Sequence, residues 1–374
     1  MSSGARCISP RDTLQHRIGP VFPEIQGLMT HQTGSSTLTS GLDRRARLSA
    51  TVTHDISRRN GLITVSIELG HEGAKMVQAR LARYSMGLRE LLDESPRLLR
   101  FMECHSPLAA MVIETSRSET HPEAGFDGLW SSSLTDSSLR GLPDQEIVSM
   151  YERVVFAREI LAVSALPMIM DGDTGGTVEQ FMDTVRRTER SGISAIVIED
   201  KVGTKQNSLL ADSSVHVLAD QDDFARKIQK GVEAKAHPQF MIVARLEGLI
   251  VGLPVEEVLQ RAAAFVAAGA DALLVHSKAR DPREVLDVGR RLRETHPDIP
   301  LIAVPTTYPS VTDEELREAG FRIVIYANHM LRASVRAMAQ VSTAILTGAT
   351  LEAAEPFCAP VEDLLALSVG GTSR

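Results

Sequence analysis

Short apolar runs recur along the chain from about residue 86, and longer mixed segments separate them. Within most runs consecutive positions are apolar, as in parallel strands that are buried on both faces. Eight runs fit this pattern: LLRFMEC (98–104), FDGLW (126–130), LPMIMD (166–171), SAIVIE (194–199), QFMIVAR (239–245), DALLVH (271–276), PLIAVP (300–305) and RIVIYA (322–327).

The segments between the runs carry the signals of helices. In residues 254–268, Val258 and Ala262 lie on one helical face, and a glycine follows where the helix would end. Asp281 and the proline after it predict a second helix start. A third start is predicted at Thr312, because a glutamate three residues later gives the spacing of a capping box.

Eight strands that alternate with helices predict an α/β protein, a TIM-type (β/α)8 barrel, because such a barrel needs eight strands within roughly 250 residues. A doubly wound sheet is the alternative. The first run is not followed by a GxGxxG motif, and the count of eight suits closure of the sheet, so the barrel is favoured.

The chain divides into three predicted regions. Residues 1–85 form an N-terminal extension with a net charge of +5, and its segment 31–42 is rich in Ser, Thr and Gly, so we predict that it is partly disordered. Residues 86–345 form the catalytic barrel, and residues 346–374 form a C-terminal helical segment and tail. The function of the extension cannot be inferred from its sequence.

Composition narrows the function classes. The 374 residues are 43% hydrophobic and 24% charged, as in an ordinary globular protein, and no apolar run is long enough to span a membrane. A net charge of −8 disfavours a nucleic-acid partner. Cys7, Cys104 and Cys358 are far apart and form no CxxC motif, which disfavours disulfides or zinc and fits a cytoplasmic location. The sequence therefore predicts an enzyme that acts on a small molecule.

Polar residues follow every apolar run. A single polar residue at the end of a strand is usually a helix cap or a loop residue. In a barrel, however, all eight ends meet at the mouth that carries the active site. The residues concerned are His105, Ser131–Ser133, Asp171 and Asp173, Glu199–Lys201, Arg245 and Glu247, His276–Lys278, Thr306–Tyr308, and Asn328 with His329.

Three carboxylates form the sharpest cluster at these ends. Asp171, Asp173 and Glu199 would repel one another unless a cation joined them. Ligation by oxygen alone, without His or Cys, indicates a hard ion, so we predict a Mg²⁺ or Mn²⁺ site. In the alternative interpretation Asp173 and Thr174 cap the following helix, and Asp171 pairs with a nearby arginine.

Cationic and amide side chains form a second group. The loop 199–209 carries Lys201, Lys205 and Asn207, with a glycine that permits movement, so the loop is suited to close over an anion. Arg245 offers a planar fork for carboxylate or phosphoryl oxygens, and His276 is a further candidate donor. Together with a metal, these groups favour a small polyanion that can become an enolate.

A motif of EDK, five residues and NS spans Glu199 to Ser208, and further motifs stand in order: Trp130 with Ser132 and Leu134, DGD (171–173), ARLE (244–247), GADALLVHSK (269–278), VPTTY (304–308) and YANHMLRAS (326–334). With these motifs the chain resembles, from about residue 85 to residue 367, the phosphoenolpyruvate mutase branch of the isocitrate lyase superfamily. The lyase branches carry a reactive cysteine in a KKCGH-like loop, and none of the three cysteines here lies in that loop.

The resemblance implies a role for each matching residue. The substrate carboxylate would be bound near Trp130 by Ser132, Ser133 and Leu134, although the family usually has glycine where Ser133 stands. The gating loop would use Lys205, Asn207 and Leu209, together with Lys201 and Ser208 of the motif. The metal would be held by Asp171, Asp173 and Glu199, and the phosphoryl group by Arg245 and His276. The catalytic aspartate falls on Asp144, which from the sequence alone also suits an N-cap of a helix over residues 144–163.

The activity that the resemblance implies is the interconversion of phosphoenolpyruvate and phosphonopyruvate, the reaction that forms a carbon–phosphorus bond. Phosphonopyruvate hydrolase is the nearest alternative, and Asn207 favours the mutase because the hydrolase branch tends to have another residue there. A carbon–carbon lyase and an inactive binding barrel are further alternatives. The family also exchanges its last helix between subunits, here within residues 361–366, which implies a homodimer or homotetramer.

Overall fold

The computed structural model describes residues 87–121, 124–203, 205–209, 215–348 and 350–368. The predicted N-terminal extension lies outside the described residues. In the part that the structure describes, no helix is long and apolar enough to cross a membrane.

Eight parallel strands close into a barrel. This confirms the predicted TIM-type fold, and each of the eight apolar runs overlaps one barrel strand. The barrel strands are β1 (Leu99–Glu103), β2 (Gly128–Ser131), β3 (Met168–Asp171), β4 (Ala195–Glu199), β7 (Met241–Leu246), β8 (Ala272–Val275), β9 (Leu301–Ala303) and β10 (Phe321–Tyr326). Around the barrel they follow the order β1-β10-β9-β8-β7-β4-β3-β2. The short strands β5 (Lys201–Val202) and β6 (Val217–Leu218) pair with each other in an antiparallel ribbon.

Helices follow the strands and cover the outside of the barrel. Their bounds are Leu88–Glu94, Pro107–Thr115, Ser133–Leu139, Met150–Leu161, Val178–Arg190, Gln221–Ala234, Gly248–Val251, Val255–Ala267, Arg283–Thr295, Asp313–Glu318, His329–Thr347 and Val361–Ser368. Two 3-10 turns, Leu351–Ala353 and Glu355–Phe357, lie between the last two helices.

Three predicted helix starts lie within two residues of the observed ones, at Val255, Arg283 and Asp313. Thr312 and Glu315 form the predicted capping box. The helix predicted over residues 144–163 is wrong at its start, because it begins at Met150 with Ser149 as its N-cap and a capping box to Glu152. A reciprocal box satisfies two backbone N–H groups, which gives Ser149 the advantage over the single carboxylate of Asp144.

Side chains alternate between two hydrophobic clusters along each strand. Ala195 and Val197 of β4 belong to a cluster inside the barrel, whereas Ile196 and Ile198 pack with Phe181 under the outer helices. This period of two means that every second residue of a strand faces the barrel axis. The same alternation at the carboxyl ends of the strands determines which polar side chains point into the mouth of the barrel.

The C-terminal region consists of two helices. The helix His329–Thr347 runs past the predicted boundary at residue 345, so that boundary falls in its last turn. The predicted last helix is present as Val361–Ser368, and the apolar side chains of Val361, Leu364 and Leu365 on it are exposed.

Candidate active site

The inward alternation delivers four chemical side chains to the mouth of the barrel. Inward-facing Ile169, Val197, Val243 and Leu274 are each followed two residues later by a polar residue. These residues are Asp171, Glu199, Arg245 and His276. Glu199 and Arg245 also stand directly opposite each other in the β4–β7 register. The sheet order therefore places an acid beside a base at the strand ends.

A cavity of about 60 Å³ lies at this mouth. All of the predicted site residues line it except Lys201 and Asp173, which lie immediately behind its wall. The structure adds five lining residues that the sequence had not assigned to the site: Leu274, Val304, Thr306, Ala327 and Asn328. Thr306 and Asn328 had the signal of polar residues at strand ends, whereas the apolar three carried no signal of chemistry.

The carboxylates of β3 and β4 are buried and differ in their partners. Asp171 accepts hydrogen bonds from the Ser133 hydroxyl (2.9 Å) and from the Asp173 backbone N–H (3.2 Å). The Oε1 atom of Glu199 accepts no hydrogen bond from the described residues. The Asp173 backbone is in the left-handed region, with φ of 54°, so the chain turns sharply at the end of β3.

Lys205 reaches into this carboxylate cluster from the loop. Its ammonium contacts Asp173 and Ser133 and donates to Asp144 at 2.8 Å. Burial opposes ionisation of Asp171, but the positive charges of Lys205, Arg245 and Arg153 outweigh it and lower its pKa to about 2. Burial raises the pKa of Glu199 to about 7, and neighbouring Glu247 adds to the shift.

The cluster has the donor chemistry for a hard cation but not a preformed metal geometry. Among the described residues no group of three or more His, Cys, Asp or Glu side chains is arranged to hold a metal ion, because the Lys205 ammonium lies between the carboxylates. Asp171 and Glu199 nevertheless face one cavity, and the Oε1 atom of Glu199 has the ion pair with Lys201, at 3.2 Å, but no hydrogen bond from the described residues. Buried carboxylate oxygens of this kind fit a hard divalent ion.

The alternative interpretation of Asp173 and Thr174 as helix caps is wrong. The next helix begins at Val178, and Thr177 is its N-cap. Thr174 instead donates from its backbone N–H and its hydroxyl to Glu146, at 3.1 and 2.9 Å. Asp171 forms no direct ion pair with an arginine in the described part of the chain. Asp171 therefore faces the cavity, and Asp173 pairs with Lys205 of the loop and with Arg153.

Asp144 lies opposite the strand ends, in the segment between the helices Ser133–Leu139 and Met150–Leu161. It caps no helix. Its two oxygens accept hydrogen bonds from the loop, one from Lys205 (2.8 Å) and one from the Asn207 side-chain amide (2.9 Å). The loop that carries Lys205 and Asn207 is thereby held over the cavity.

The spacing of the EDK and NS residues closes the loop on itself. The Lys201 ammonium donates to the Ser208 hydroxyl at 2.8 Å, and that hydroxyl donates to Glu247 at 2.6 Å. Asp200 faces the other way, where it accepts from Arg261 (2.7 Å) and from the Glu247 backbone N–H (2.8 Å). Lys201 of the motif therefore fixes the loop at the site, whereas Asp200 contacts Arg261 on an outer helix of the barrel.

Glu247 is the shared partner of the cationic wall. It is fully buried and accepts hydrogen bonds from Arg245, Ser208 and His276, the last at 2.7 Å. Burial disfavours its charged form, but Arg245 and His276 more than compensate and hold its pKa well below the usual range. Burial and the Arg245 charge lower the pKa of His276. The sequence had placed Glu247 at a strand end without a role.

Arg153 is a functional neighbour that the sequence analysis missed. Its side chain is only 1% exposed, and it donates to Asp136 at 2.8 Å and to Asp173 at 3.2 Å. It shares the buried face of its helix with Ala157 and Ile160. An arginine in an apolar helical stripe was the signal that could have revealed it.

Fold and site together define a (β/α)8-barrel enzyme whose mouth combines carboxylates with an arginine, a histidine and a lysine. The model of the family "Phosphoenolpyruvate phosphomutase" matches residues 88–346. The chain belongs to this family, and so to the isocitrate lyase and phosphoenolpyruvate mutase superfamily, as its motifs predicted.

Comparison with individual proteins gives a consistent picture. The chain is 36% identical over 276 residues to the phosphoenolpyruvate phosphomutase of Tetrahymena pyriformis, a match that covers 73% of this chain and 88% of the relative. It is similar to the crystal structure of a phosphoenolpyruvate phosphomutase from Streptomyces platensis subsp. rosaceus, with 39% identity, a TM-score of 0.68 and coverage of 75% and 93%. A phosphonopyruvate hydrolase solved with oxalate and Mg²⁺ matches at 34% identity, a TM-score of 0.66 and the same coverage.

We predict that Arg153→Ala lowers the free energy of unfolding by roughly 3–5 kcal/mol, because it removes the buried guanidinium that pairs with both Asp136 and Asp173, of which only Asp173 keeps a second close cation, Lys205. Arg153→Lys should lower the free energy of unfolding less, since lysine keeps the positive charge but lacks the planar guanidinium that donates to two partners. Urea denaturation followed by circular dichroism measures both. Arg158→Ala, on the exposed side of the same helix, is the control and should change stability by less than about 0.5 kcal/mol. Equal losses for Arg153→Ala and Arg158→Ala would contradict this role.

Proposed function

We propose that the protein is a phosphoenolpyruvate mutase, which interconverts phosphoenolpyruvate and phosphonopyruvate by moving a phosphoryl group between oxygen and carbon of one molecule. The observation that carries the proposal is the position of Asn207, whose amide reaches Asp144 and closes the loop over the cavity. Such a reaction breaks the oxygen–phosphorus bond and forms a carbon–phosphorus bond, with no net gain or loss of a proton.

Asp171, Asp173 and Glu199 would hold a divalent ion, Mg²⁺ or Mn²⁺, and the Mg²⁺ in the related hydrolase structure supports this. When bound, such an ion supplies positive charge that stabilises the enolate oxygen of the substrate. Lys205 contacts Asp173 and Asp144, so it is the residue whose contacts would change most when the cluster is filled.

The two ends of the substrate would meet different walls. Ser132, Ser133 and Leu134 line the cavity where the chain leaves β2, and their backbone N–H groups would bind the carboxylate beside Trp130. The indole N–H of Trp130 is buried and has no acceptor among the described residues. A substrate oxygen would satisfy it, since buried polar groups are rarely left unpaired.

The phosphoryl group would lie between Arg245, His276 and Asn207. These donors face the charge that spreads over the phosphoryl oxygens as the group is transferred. Asp144 would stand beside the phosphorus, as a transient nucleophile or as an orienting group. Lys201 and Ser208 clasp the base of the loop, and Leu209 lines the cavity behind Asn207.

Exclusion of water separates the mutase from its nearest alternative. If water reached the phosphoryl group, the products would be phosphate and pyruvate, as in a phosphonopyruvate hydrolase. The cavity of about 60 Å³ has room for only a few water molecules, so the loop must open for the substrate and close again. Against a lyase, neither Cys104 nor Cys358 lines this cavity.

The deciding experiment is to incubate the purified protein with phosphonopyruvate and Mg²⁺ and to quantify phosphoenolpyruvate and phosphate. We expect mainly phosphoenolpyruvate. Asn207→Ala should lower the rate by about 100-fold, because one donor to the developing charge is worth about 3 kcal/mol, and it should raise the share of phosphate. Lys205→Ala should slow both products with less change in their ratio.

Two results would contradict this proposal. Wild type that releases mainly phosphate would identify a hydrolase. An Asn207→Ala variant with unchanged rate and product ratio would show that the loop does not gate the site.

We also predict that phosphonate binding takes up a proton at His276. Its Nδ1 atom lies 2.7 Å from Glu247, which only accepts, and 3.0 Å from the Arg245 guanidinium, which only donates. Arg245 has other acceptors in Glu247 and Ser208, so we place the ring hydrogen on Nδ1 towards Glu247, which leaves the neutral ring without a hydrogen on Nε2. The lowered pKa keeps the free ring neutral at pH 7, and a second donor requires protonation. Calorimetry of phosphonoacetate binding to Mg²⁺-saturated protein, in buffers of different ionisation enthalpy, should show this uptake. His276→Asn should abolish it, and an equal uptake in that variant would refute the assignment.

We further propose that the protein is a homo-oligomer that exchanges its last helix. Leu364 and Leu365 are 52% and 61% exposed on that helix, and an apolar stripe of this kind is typical of a face that another surface covers. Light scattering should give a dimer or tetramer, and the double variant Leu364→Glu, Leu365→Glu should shift it towards the monomer. Glu362→Gln on the same helix is the control. A monomeric wild type would contradict the proposal.

A further inference from the structure

A second cavity adjoins the active-site cavity at the mouth of the barrel. It has a volume of about 550 Å³ and is formed by the loops that follow β8 and β9, and we call it the vestibule. Its lining residues are Lys278, Arg280, Thr306, Thr307, Pro309 and Ser310. Thr306 lines the active-site cavity as well, so this one residue forms the wall between the two.

The lining of the vestibule has the chemistry of an anion site. Two cationic and three hydroxyl side chains line it, and no carboxylate side chain of the described residues lines it. Arg280 is exposed and forms no ion pair or hydrogen bond within the described residues, so its guanidinium is available to a ligand. A guanidinium binds carboxylate and phosphoryl oxygens with two parallel hydrogen bonds.

The hydroxyl of Thr306 supplies an independent observation. Its Oγ1 atom is buried without a hydrogen-bond partner among the described residues. Its neighbour Thr307, by contrast, donates to the Ser277 carbonyl at 2.9 Å. A buried hydroxyl without a partner is costly unless a ligand or water satisfies it. Its position on the shared wall is where an anion that moves between the cavities would pass.

The negative charges of the protein and of its proposed substrate explain why a positive site at the entrance would be useful. The chain carries a net charge of −8, and Asp144, Asp171 and Glu199 line the active-site cavity. Phosphoenolpyruvate carries about three negative charges, one on the carboxylate and nearly two on the phosphoryl group. The net charge of the protein therefore opposes its approach. Lys205 and Arg245 also line the active-site cavity, but a positive region at the entrance would raise the rate at which the anion is captured from solvent.

We propose that the vestibule is an anion-binding site that captures a small phosphorylated or phosphonylated carboxylate from solvent and passes it over Thr306 into the active-site cavity. Lys278 and Arg280 attract the anion, and the Thr306 hydroxyl donates to it on the way. The identity of the anion rests on the proposed mutase function, whereas the binding of an anion does not.

The kinetic test is Arg280→Glu, with the exposed Arg283→Glu as the control that changes the net charge by the same amount. Arg283 lies three residues further along the chain, does not line the vestibule and pairs with Asp281. We expect Arg280→Glu to lower kcat/KM at low salt by about 10-fold with kcat unchanged, and to flatten the fall of kcat/KM with rising ionic strength. The control should keep the wild-type salt dependence. Equal kcat/KM and equal salt dependence in all three proteins would overturn the proposal.

A binding test separates this proposal from the proposed function. Inorganic phosphate is titrated into wild type, Arg280→Glu and Arg245→Gln, and binding is followed by the ³¹P line width. Arg245→Gln should retain the phosphate that the vestibule binds, and Arg280→Glu should lose it. If Arg280→Glu loses phosphate binding but the wild-type protein has no mutase activity, the anion site in the vestibule is supported and the proposed mutase function is contradicted. If Arg280→Glu binds phosphate as wild type does, the vestibule fails whatever the activity.

Discussion

The arrangement of the barrel mouth depends on the mutual neutralisation of buried charges. Five carboxylates are almost completely buried there, and four of them pair directly with a buried or half-buried cation. Asp173 pairs with Arg153 and Lys205, and Asp200 pairs with Arg261. Glu199 and Glu247 both pair with Arg245 and with Lys201. Asp171 accepts a hydrogen bond from Ser133, and the nearby positive charges stabilise its ionised form. Because an unpaired charge in such a position is strongly destabilising, the loop and the strands are ordered together.

This constraint links the fold to the proposed reaction. Asp144 accepts hydrogen bonds from both Lys205 and Asn207 and so holds the loop closed. The base of the loop is tied to the end of β7 through Ser208 and Glu247. The site already contains both positive and negative side chains before a substrate anion and a divalent ion enter it. The bound anion and ion would therefore replace some of the existing ion pairs between these side chains. Such preorganised charges need little rearrangement during the reaction.

The sequence predicted the parts of this site that depend on local pattern. Strand runs and their period of two place Asp171, Glu199, Arg245 and His276 at one mouth. What it could not predict depends on contacts across the closed barrel. The role of Glu247 needs β4 and β7 to be neighbours, and Arg153 needs its helix to pack behind β3. Asp144 was assigned through the resemblance, but its helix start was wrong because the capping box at Ser149 fixes the helix five residues later.

The central claim is that the phosphoryl group moves between carbon and oxygen in a site closed to water. The most direct test is turnover of phosphonopyruvate in water enriched in ¹⁸O, with ³¹P spectra of the products. Transfer with water excluded predicts phosphoenolpyruvate whose three non-bridging phosphoryl oxygens contain no ¹⁸O, while the bridging oxygen, which comes from the exchangeable keto group, is not used in the comparison. Inorganic phosphate that carries one ¹⁸O atom as the main product would show that water attacks the phosphorus, and would contradict the account.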